Sequence, residues 1–559
     1  MLATLLLAAL LQIPGPAILD AGPVSGPVDL VLHGGRVLTM VEPEPVPAPT
    51  AVAVRDGRVV WVGDDDGAMK LVGDQTRVLD LDGDVAMPGL VDGHAHLYGI
   101  GKALAEINVR DLSDAAACAQ RVVEAARLQS DGWLQGRGWD QNLWPDKAWP
   151  TRQELDAVAP DRPVMLRRVD GHAAWVNSAA LALAGITRDT PDPEGGAILH
   201  DADGEPLGVL VDNAASLVRD IIPRPGAAET ERRIRLAMDH CVALGLTGIH
   251  EMGCNWDRVQ IYKRLAADGD LGLRVVVFLD DHAPTLEEGL PAGPFVSADG
   301  MLRVHGVKLY ADGALGSRGA LLLADYSDSP DRRGLQVTDR EHLTDVCRRA
   351  RAAGFQVATH AIGDAANRLM LDVYQDVLQD GGRDLRWRIE HAQIVHPEDQ
   401  ARFAELGVIA SMQPTHCTSD MDWVPDRLGH DRSAGAYAWR SLLDRGAVLS
   451  FGSDAPVESV APVPGLFAAG TRTHPDGTPP GGWLPHEVLT GRESLRAFTL
   501  GPAYSARSED DLGVLAPGYL ADITVLSGDP TTVAAETLLD LEPRFTIVQG
   551  RVVWAAGER

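Results

Sequence analysis

Eight apolar runs, each closing on Gly, Asp, His or another polar residue, recur along this 559-residue chain and leave few folds open to it. They are PGLVDGHAH (Pro88 to His96), LTGIHEMG (Leu246 to Gly253), LRVVVFLDD (Leu273 to Asp281) and LRVHGVKLYADG (Leu302 to Gly313), followed by FQVATHAIGD (Phe355 to Asp364), RWRIEHAQ (Arg386 to Gln393), GVIASMQPTH (Gly407 to His416) and AVLSFGSDAP (Ala447 to Pro456). Runs this rich in Val, Ile and Leu, separated by helical stretches, read as strands buried on both faces, the pattern of a parallel sheet. Eight of them close a (β/α)₈ TIM-type barrel. From the second run onward the spacing suits single βα units. The first two runs are about 150 residues apart, too far for one crossover helix, so an insertion is expected after the first strand.

The expected α/β architecture has three further parts. Short alternating runs around Gly and Asp turns over residues 28–87 and 506–559 predict a small β-sandwich built from both chain ends. The barrel takes residues 88–505, and its insertion, about 101–235, holds GWLQGRGWD, PVMLRRVDGH and a hairpin turning at Asp203–Gly204, read as a cap over the barrel mouth. Residues 1–22 open on the apolar MLATLLLAALL, which has signal-peptide length but no basic n-region, so a signal peptide and an N-terminal extension both stay open. The first predicts a periplasmic or secreted protein, the second a cytoplasmic one.

The chemistry-bearing residues sit where barrel enzymes put theirs, at the C-terminal ends of strands. His94 and His96, two apart on one strand, point to the same face. An HxH pair alone means little. Here His360 closes the fifth run, His391 the sixth and Asp454 the eighth, so four imidazoles and a carboxylate converge on one mouth. That ligand set suits a divalent cation, Zn²⁺ first, with Mn²⁺, Fe²⁺, Co²⁺ and Ni²⁺ open. Five ligands exceed one tetrahedral site. Of 50 basic residues only Lys70, Lys102, Lys147, Lys263 and Lys308 are lysines, and Lys308 lies in the fourth run. A lysine desolvated among cations can lose its proton and add carbon dioxide as a bridging carbamate, which arginine cannot do. Paired with Asp312 or Glu251, Lys308 would instead be a structural strand residue.

PGLVDGHAH, VKLYADG, HAIGD, IEHAQ and FGSDAP, in this order, resemble the amidohydrolase superfamily. GRGWDQNLWP, VDGHAAWVNSAAL and ADGALGSRGA narrow the likeness to the amidohydrolase-3 group of YtcJ-like and N-substituted formamide deformylase-like proteins. The resemblance implies that His94 and His96 hold a buried metal, a carboxylated Lys308 bridges to a second on His360 and His391, and Asp454 contacts the first metal and serves as general base and acid. It implies hydrolysis of a non-peptide C–N bond, in an amide, formamide or N-acyl compound, by a metal-activated hydroxide; one metal or two stays open. A hydrolase of an ester, lactone or cyclic amide is the alternative within that chemistry. A non-catalytic binding protein on the same barrel is the alternative outside it.

Around this set, His172, Arg318, Trp139, Asp140 and His416 are candidate substrate contacts, with Trp423 nearby, each equally readable as a structural residue. Trp133, Trp139, Trp144 and Trp149 cluster in the insertion, as an aromatic pocket or as its core. Glu251 and Glu390 adjoin strand ends and are candidates for orienting imidazoles. The partner expected is a small amide-type molecule; a homodimer is open. A net charge of −29 without any basic run excludes nucleic acid. No segment reaches about 18 apolar residues, which excludes an integral membrane helix. Five scattered cysteines without CxxC spacing indicate neither a disulfide framework nor a thiolate zinc site.

Overall fold

The computed structural model describes residues 26–128, 132–379 and 383–557, so the leader reading of residues 1–22 lies outside the described residues. The chain divides into two compact units, one from Ile100 to Leu236 and one from the residues up to Gly99 and from Ala237 onward.

In the larger unit the eight apolar runs are eight parallel strands in sequence order: β1 (Leu90–Ala95), β2 (Leu246–Cys254), β3 (Arg274–Leu279), β4 (Leu302–Tyr310), β5 (Gln356–Ala361), β6 (Arg388–His391), β7 (Ile409–Met412) and β8 (Leu449–Phe451). Each pairs with the next, and every residue of β3, β6, β7 and β8 is buried, as strands covered on both faces must be. The seam between β8 and β1 is drawn together just beyond the strands, where Asp454 N donates to His94 O (2.7 Å) and His96 N donates to Ala455 O (2.8 Å). Two glycines permit that approach. A Cβ at Gly452 would lie 2.4 Å from His94 N, and one at Gly93 2.5 Å from Ser450 Oγ.

The β-sandwich joins the two chain ends. One sheet orders Arg58–Gly63, Ala51–Arg55, Leu30–His33 and Arg77–Asp80; the other orders Arg36–Val37, Val85–Pro88, Ile523–Leu526, Pro543–Val548 and Arg551–Ala555. Val85–Pro88 pairs antiparallel with Ile523–Leu526, and Leu30, Leu32, Val52, Ile523, Val525 and Ile547 meet in one core. Only Gly89 separates Val85–Pro88 from β1, and its N–H donates to Asp522 O (2.8 Å), so the sandwich sets where the first barrel strand begins.

The smaller unit is a six-stranded sheet in the order Gly196–His200, Pro206–Asp212, Ala173–Val176, Val164–Arg168, Leu134–Trp139, Ile107–Asn108. Its first two strands form the hairpin expected at Asp203–Gly204, where Gly204 adopts φ +79°. Three tryptophans of the segment make its core, Trp139, Trp144 and Trp175, buried with ring centroids 6.3 to 6.4 Å apart, while Trp133 is partly buried and Trp149 exposed. Trp139, read from the sequence as a substrate contact, is therefore a packing residue, and its indole N–H donates to Leu166 O (2.8 Å).

Candidate metal centre

Three strand ends bring the centre together. His94 is the last residue but one of β1, His391 ends β6, and Asp454 follows β8; ligand atoms of these three lie within 4.8 Å of one another. His391 and Asp454 stand in the left-handed backbone region, at φ +70° and +59°, which non-glycine residues seldom occupy and which turns each side chain away from the run of its strand. Asp92 fixes the seam beneath them. Its Oδ1 accepts from the N–H of His94 (3.0 Å) and of Ser453 (3.1 Å), and its Oδ2 from the Ser453 hydroxyl (2.5 Å). Burial pushes the Asp92 carboxyl up to about 6.

Each imidazole is held from behind. His94 Nδ1 lies 2.5 Å from Glu390 Oε2, His96 Nδ1 2.8 Å from Met252 O, and His391 Nδ1 2.8 Å from Gln413 Oε1. A carboxylate, a main-chain carbonyl and an amide oxygen can only accept, so in all three rings Nδ1 carries a proton and Nε2 is the atom turned forward, able to ligate whenever it is itself unprotonated. Forward of them stands Asp454, with Oδ1 3.3 Å from His94 Nε2 and 3.1 Å from His96 Nε2. Two ligands bound at ~2.05 Å around a tetrahedral ion lie roughly 3.3 Å apart, so the spacing is that of donors shared by one cation. The Nε2 atoms of His94, His360 and His416 are buried and without a hydrogen bond. Buried polar atoms are seldom left so, and a divalent cation is the partner that would satisfy them.

Burial and the positive charge of Lys308 press His360 down to about 3; burial and His360 hold His391 well below the ordinary histidine range. Both are therefore neutral near pH 7, the form that ligates. Burial would raise Asp454, but the His94 and His96 imidazoles outweigh it and hold the carboxylate well below its usual range. Lys308 is 1% exposed, in neither an ion pair nor a hydrogen bond among the described residues, and burial brings it down to about 8 against the pull of Glu390 and Asp454. The alternative pairing with Asp312 or Glu251 is thus not made. Asp312 instead ties the loop after β4 to the loop after β5, accepting from the N–H of Leu321 (2.8 Å), Ile362 (2.9 Å) and Gly363 (2.8 Å), with Oδ1 3.6 Å from His360 Nε2. Glu251 accepts from Leu97 N and pairs with Arg258.

The rings of His360 and His391 are 4.5 Å apart, those of His94 and His391 4.9 Å. His416 belongs to this group: its ring stacks on His391 at 6.1 Å and its Nε2 lies 4.0 Å from Asp454 Oδ2. Arg318 is engaged with Asp328 through two hydrogen bonds (3.0 and 2.8 Å), and Arg427 holds the same carboxylate; Trp423 lies under the Arg427 guanidinium. In the smaller unit His172 is exposed, 2.8 Å from Asp212, while Asp140 accepts from Arg168 (2.9 Å) and Asn142 N (3.0 Å).

Behind Glu390 runs a chain of residues, of which sequence reading singled out only Glu390 itself. Arg388, fully buried, donates through Nη2 to Glu390 Oε2 (3.2 Å), Ser411 Oγ (2.7 Å) and Gly93 O (2.6 Å), and through Nη1 to His250 Nδ1 (2.9 Å). The available signal was period two: Asp92 precedes His94, and Arg388 precedes Glu390, by two residues on one strand face.

A family model described as amidohydrolase family matches residues 77–554. YtcJ of Bacillus subtilis, described as an amidohydrolase, is 36% identical over 535 residues, spanning 94% of this chain and 99% of that protein. The N-substituted formamide deformylase of Arthrobacter pascens is 28% identical over 521 residues, 89% of this chain and 94% of that protein. A crystal structure of an uncharacterized metal-dependent hydrolase from Pyrococcus furiosus superposes with a TM-score of 0.74 at 30% identity, covering 90% of this chain and 100% of that one.

Proposed function

The chain belongs to the amidohydrolase family, it is a metal-dependent hydrolase, and we propose that it cleaves a non-peptide C–N bond in a small amide, N-substituted formamide or N-acyl compound. The observation that carries this reading is the set of imidazoles anchored at Nδ1 by Glu390, Met252 and Gln413, with their Nε2 atoms turned toward Asp454. The name of the Arthrobacter relative supports the formamide class.

In this reading His94, His96 and Asp454 would hold a first divalent cation, zinc by ligand type, and His360 and His391, with a carboxylated Lys308, would serve a second. The metal supplies acidification of water toward neutral pH and polarisation of the scissile carbonyl. The chain's residues do the rest. Asp454, kept ionised by His94 and His96, takes the proton from the attacking water and returns it to the leaving nitrogen. Glu390, Met252 and Gln413 keep each ring from turning, so the ligands are in place before substrate arrives. Asp312 fixes the loops after β4 and β5 and so the direction of His360. His416, stacked on His391 and 4.0 Å from Asp454, is placed to meet the substrate at the same point.

The test is a panel of N-formyl, N-acyl, cyclic amide, ester and lactone compounds, with Zn²⁺ or Mn²⁺ supplied, run beside Asp454→Asn and Lys308→Ala. The expected result is turnover of a formyl or acyl amide, a 10²- to 10⁴-fold loss in Asp454→Asn with metal retained, and fewer metals per chain in Lys308→Ala. Turnover confined to esters or lactones overturns the C–N assignment. Full metal content and activity in Lys308→Ala overturns the bridging role.

A further inference from the structure

At the opposite end of the barrel from the imidazoles, the N-terminal ends of β1 to β4 and the sandwich residues Arg58 and Asp522 enclose a cavity of about 250 Å³. Three guanidiniums line it, and they differ in one respect. Arg274 is paired with Asp522 through two contacts (2.5 and 3.0 Å), and Arg58 with Asp511 (2.8 Å). Arg303, half-buried on β4, makes neither a hydrogen bond nor an ion pair with its side chain among the described residues. The carboxylates whose charge reaches it are engaged elsewhere, Asp511 with Arg58 and Glu509 with Arg386 (2.5 Å). Burial and the neighbouring Arg274 push its pKa below the ordinary arginine value, as expected of a cation lacking its counter-ion.

The remaining wall joins apolar Val276, Ala503, Leu512 and Leu520 to polar Thr247, Ser508 and Asp299, whose carboxylate is taken up by the Ser297 hydroxyl (2.6 Å) and the Met301 N–H (3.0 Å). A bare phosphate would meet the apolar part of that wall with no use for it. A guanidinium presents two parallel N–H donors matched to a carboxylate, and the aliphatic surface suits a short hydrocarbon body behind it. The volume accommodates about eight non-hydrogen atoms at the ~30 Å³ share of a liquid water molecule. We propose that this cavity is a second ligand site, which takes a short aliphatic monocarboxylate with its head on Arg303. Nothing in it depends on the metal-centre reading.

Hexanoate, which has eight non-hydrogen atoms, is the probe. It is titrated calorimetrically into the full-length metal-loaded protein and into Arg303→Met, with inorganic phosphate in parallel. The expected result is one hexanoate per chain, at least tenfold weaker binding in Arg303→Met, a thermal midpoint raised by hexanoate in the parent protein alone, and phosphate at least tenfold weaker than hexanoate. Undiminished binding in Arg303→Met puts the carboxylate elsewhere, the metal centre included, and overturns the proposal. So do absence of saturable binding and phosphate affinity equal to that of hexanoate. Removing an unpaired cation should not unfold the chain. If Arg303→Met nevertheless fails to fold, Arg303→Lys, which keeps the charge and loses the fork, should bind hexanoate more weakly than the parent; equal affinity would overturn the carboxylate fork.

Discussion

The two ends of one barrel handle buried polarity in opposite ways. At the C-terminal end, the Nε2 atoms of His94, His360 and His416 are without hydrogen bonds among the described residues, while the rings of His94, His96 and His391 are tied down at Nδ1. At the N-terminal end, Arg274 and Arg58 each have a carboxylate, and of the three guanidiniums Arg303 stands without one among the described residues. Buried polar atoms without partners are uncommon enough that a cluster of them around one point marks a place where something else can bind. The mouth awaits a cation because its free atoms are lone pairs; the floor, in our proposal, awaits an anion because its free group is a guanidinium. Between them Arg388 and Glu390 serve both ends, as fold and as support for His94.

That division can be broken most forcefully at Arg388. Replacing it with Met leaves Glu390 buried with only the His94 Nδ1–H to meet its charge, and the expected loss is about 3–5 kcal/mol in denaturant unfolding of the full chain. A loss under 1 kcal/mol would mean that the pair does not hold the barrel. Glu390→Gln should act the other way round, weakening metal affinity by 10- to 100-fold in competition with a chelator while metal-free stability changes less than in Arg388→Met. Equal effects on metal and fold would erase the distinction between the two ends.

The smallest effect expected is on pH dependence. Burial and the cations Arg303, Arg507 and Arg388 press His305, on β4, down to about 3, and His250 is held well below its ordinary value. Above pH 6.5 both folded and unfolded states keep such a ring neutral. As pH falls below 6.5 the unfolded chain takes a proton that the folded chain refuses, so stability falls through the window from 6.5 to 3. Between pH 6.5 and 5.5 one such histidine removes about 1 kcal/mol. Thermal midpoints of His305→Gln should fall less steeply over that interval than those of the parent; parallel curves would show His305 to be already protonated in the folded state.

Much of the site was legible because strand chemistry is local. Each of the eight runs carries its own hydrophobic pattern and its own closing residue, so His94, His96, His360, His391 and Asp454 could be placed at strand ends without coordinates. Of the supports, Glu390 could be nominated from its strand end but not matched to a ring, and Met252 from β2, which holds His96 just beyond β1, carried no signal at all, for both act across strands. Nor could the sequence tell a packing tryptophan from a ligand-facing one. Trp139 stands in a conspicuous aromatic cluster, and only its complete burial and its bond to Leu166 O decide its role.

By itself, then, the sequence determined the barrel, its inserted unit, the two-ended sandwich and the residues able to ligate, since periodicity and residue type are properties of short stretches of chain. Only the tertiary structure decided which nitrogen of His94, His96 and His391 faces forward, that Lys308 lies over the Tyr310 ring (5.1 Å) and pairs with no carboxylate among the described residues, and that among those residues Arg303 is the unpaired one of three neighbouring arginines. Those depend on what stands within about 3 Å of an atom once distant segments meet, and hydrogen-bond range is too short for any pattern along the chain to encode.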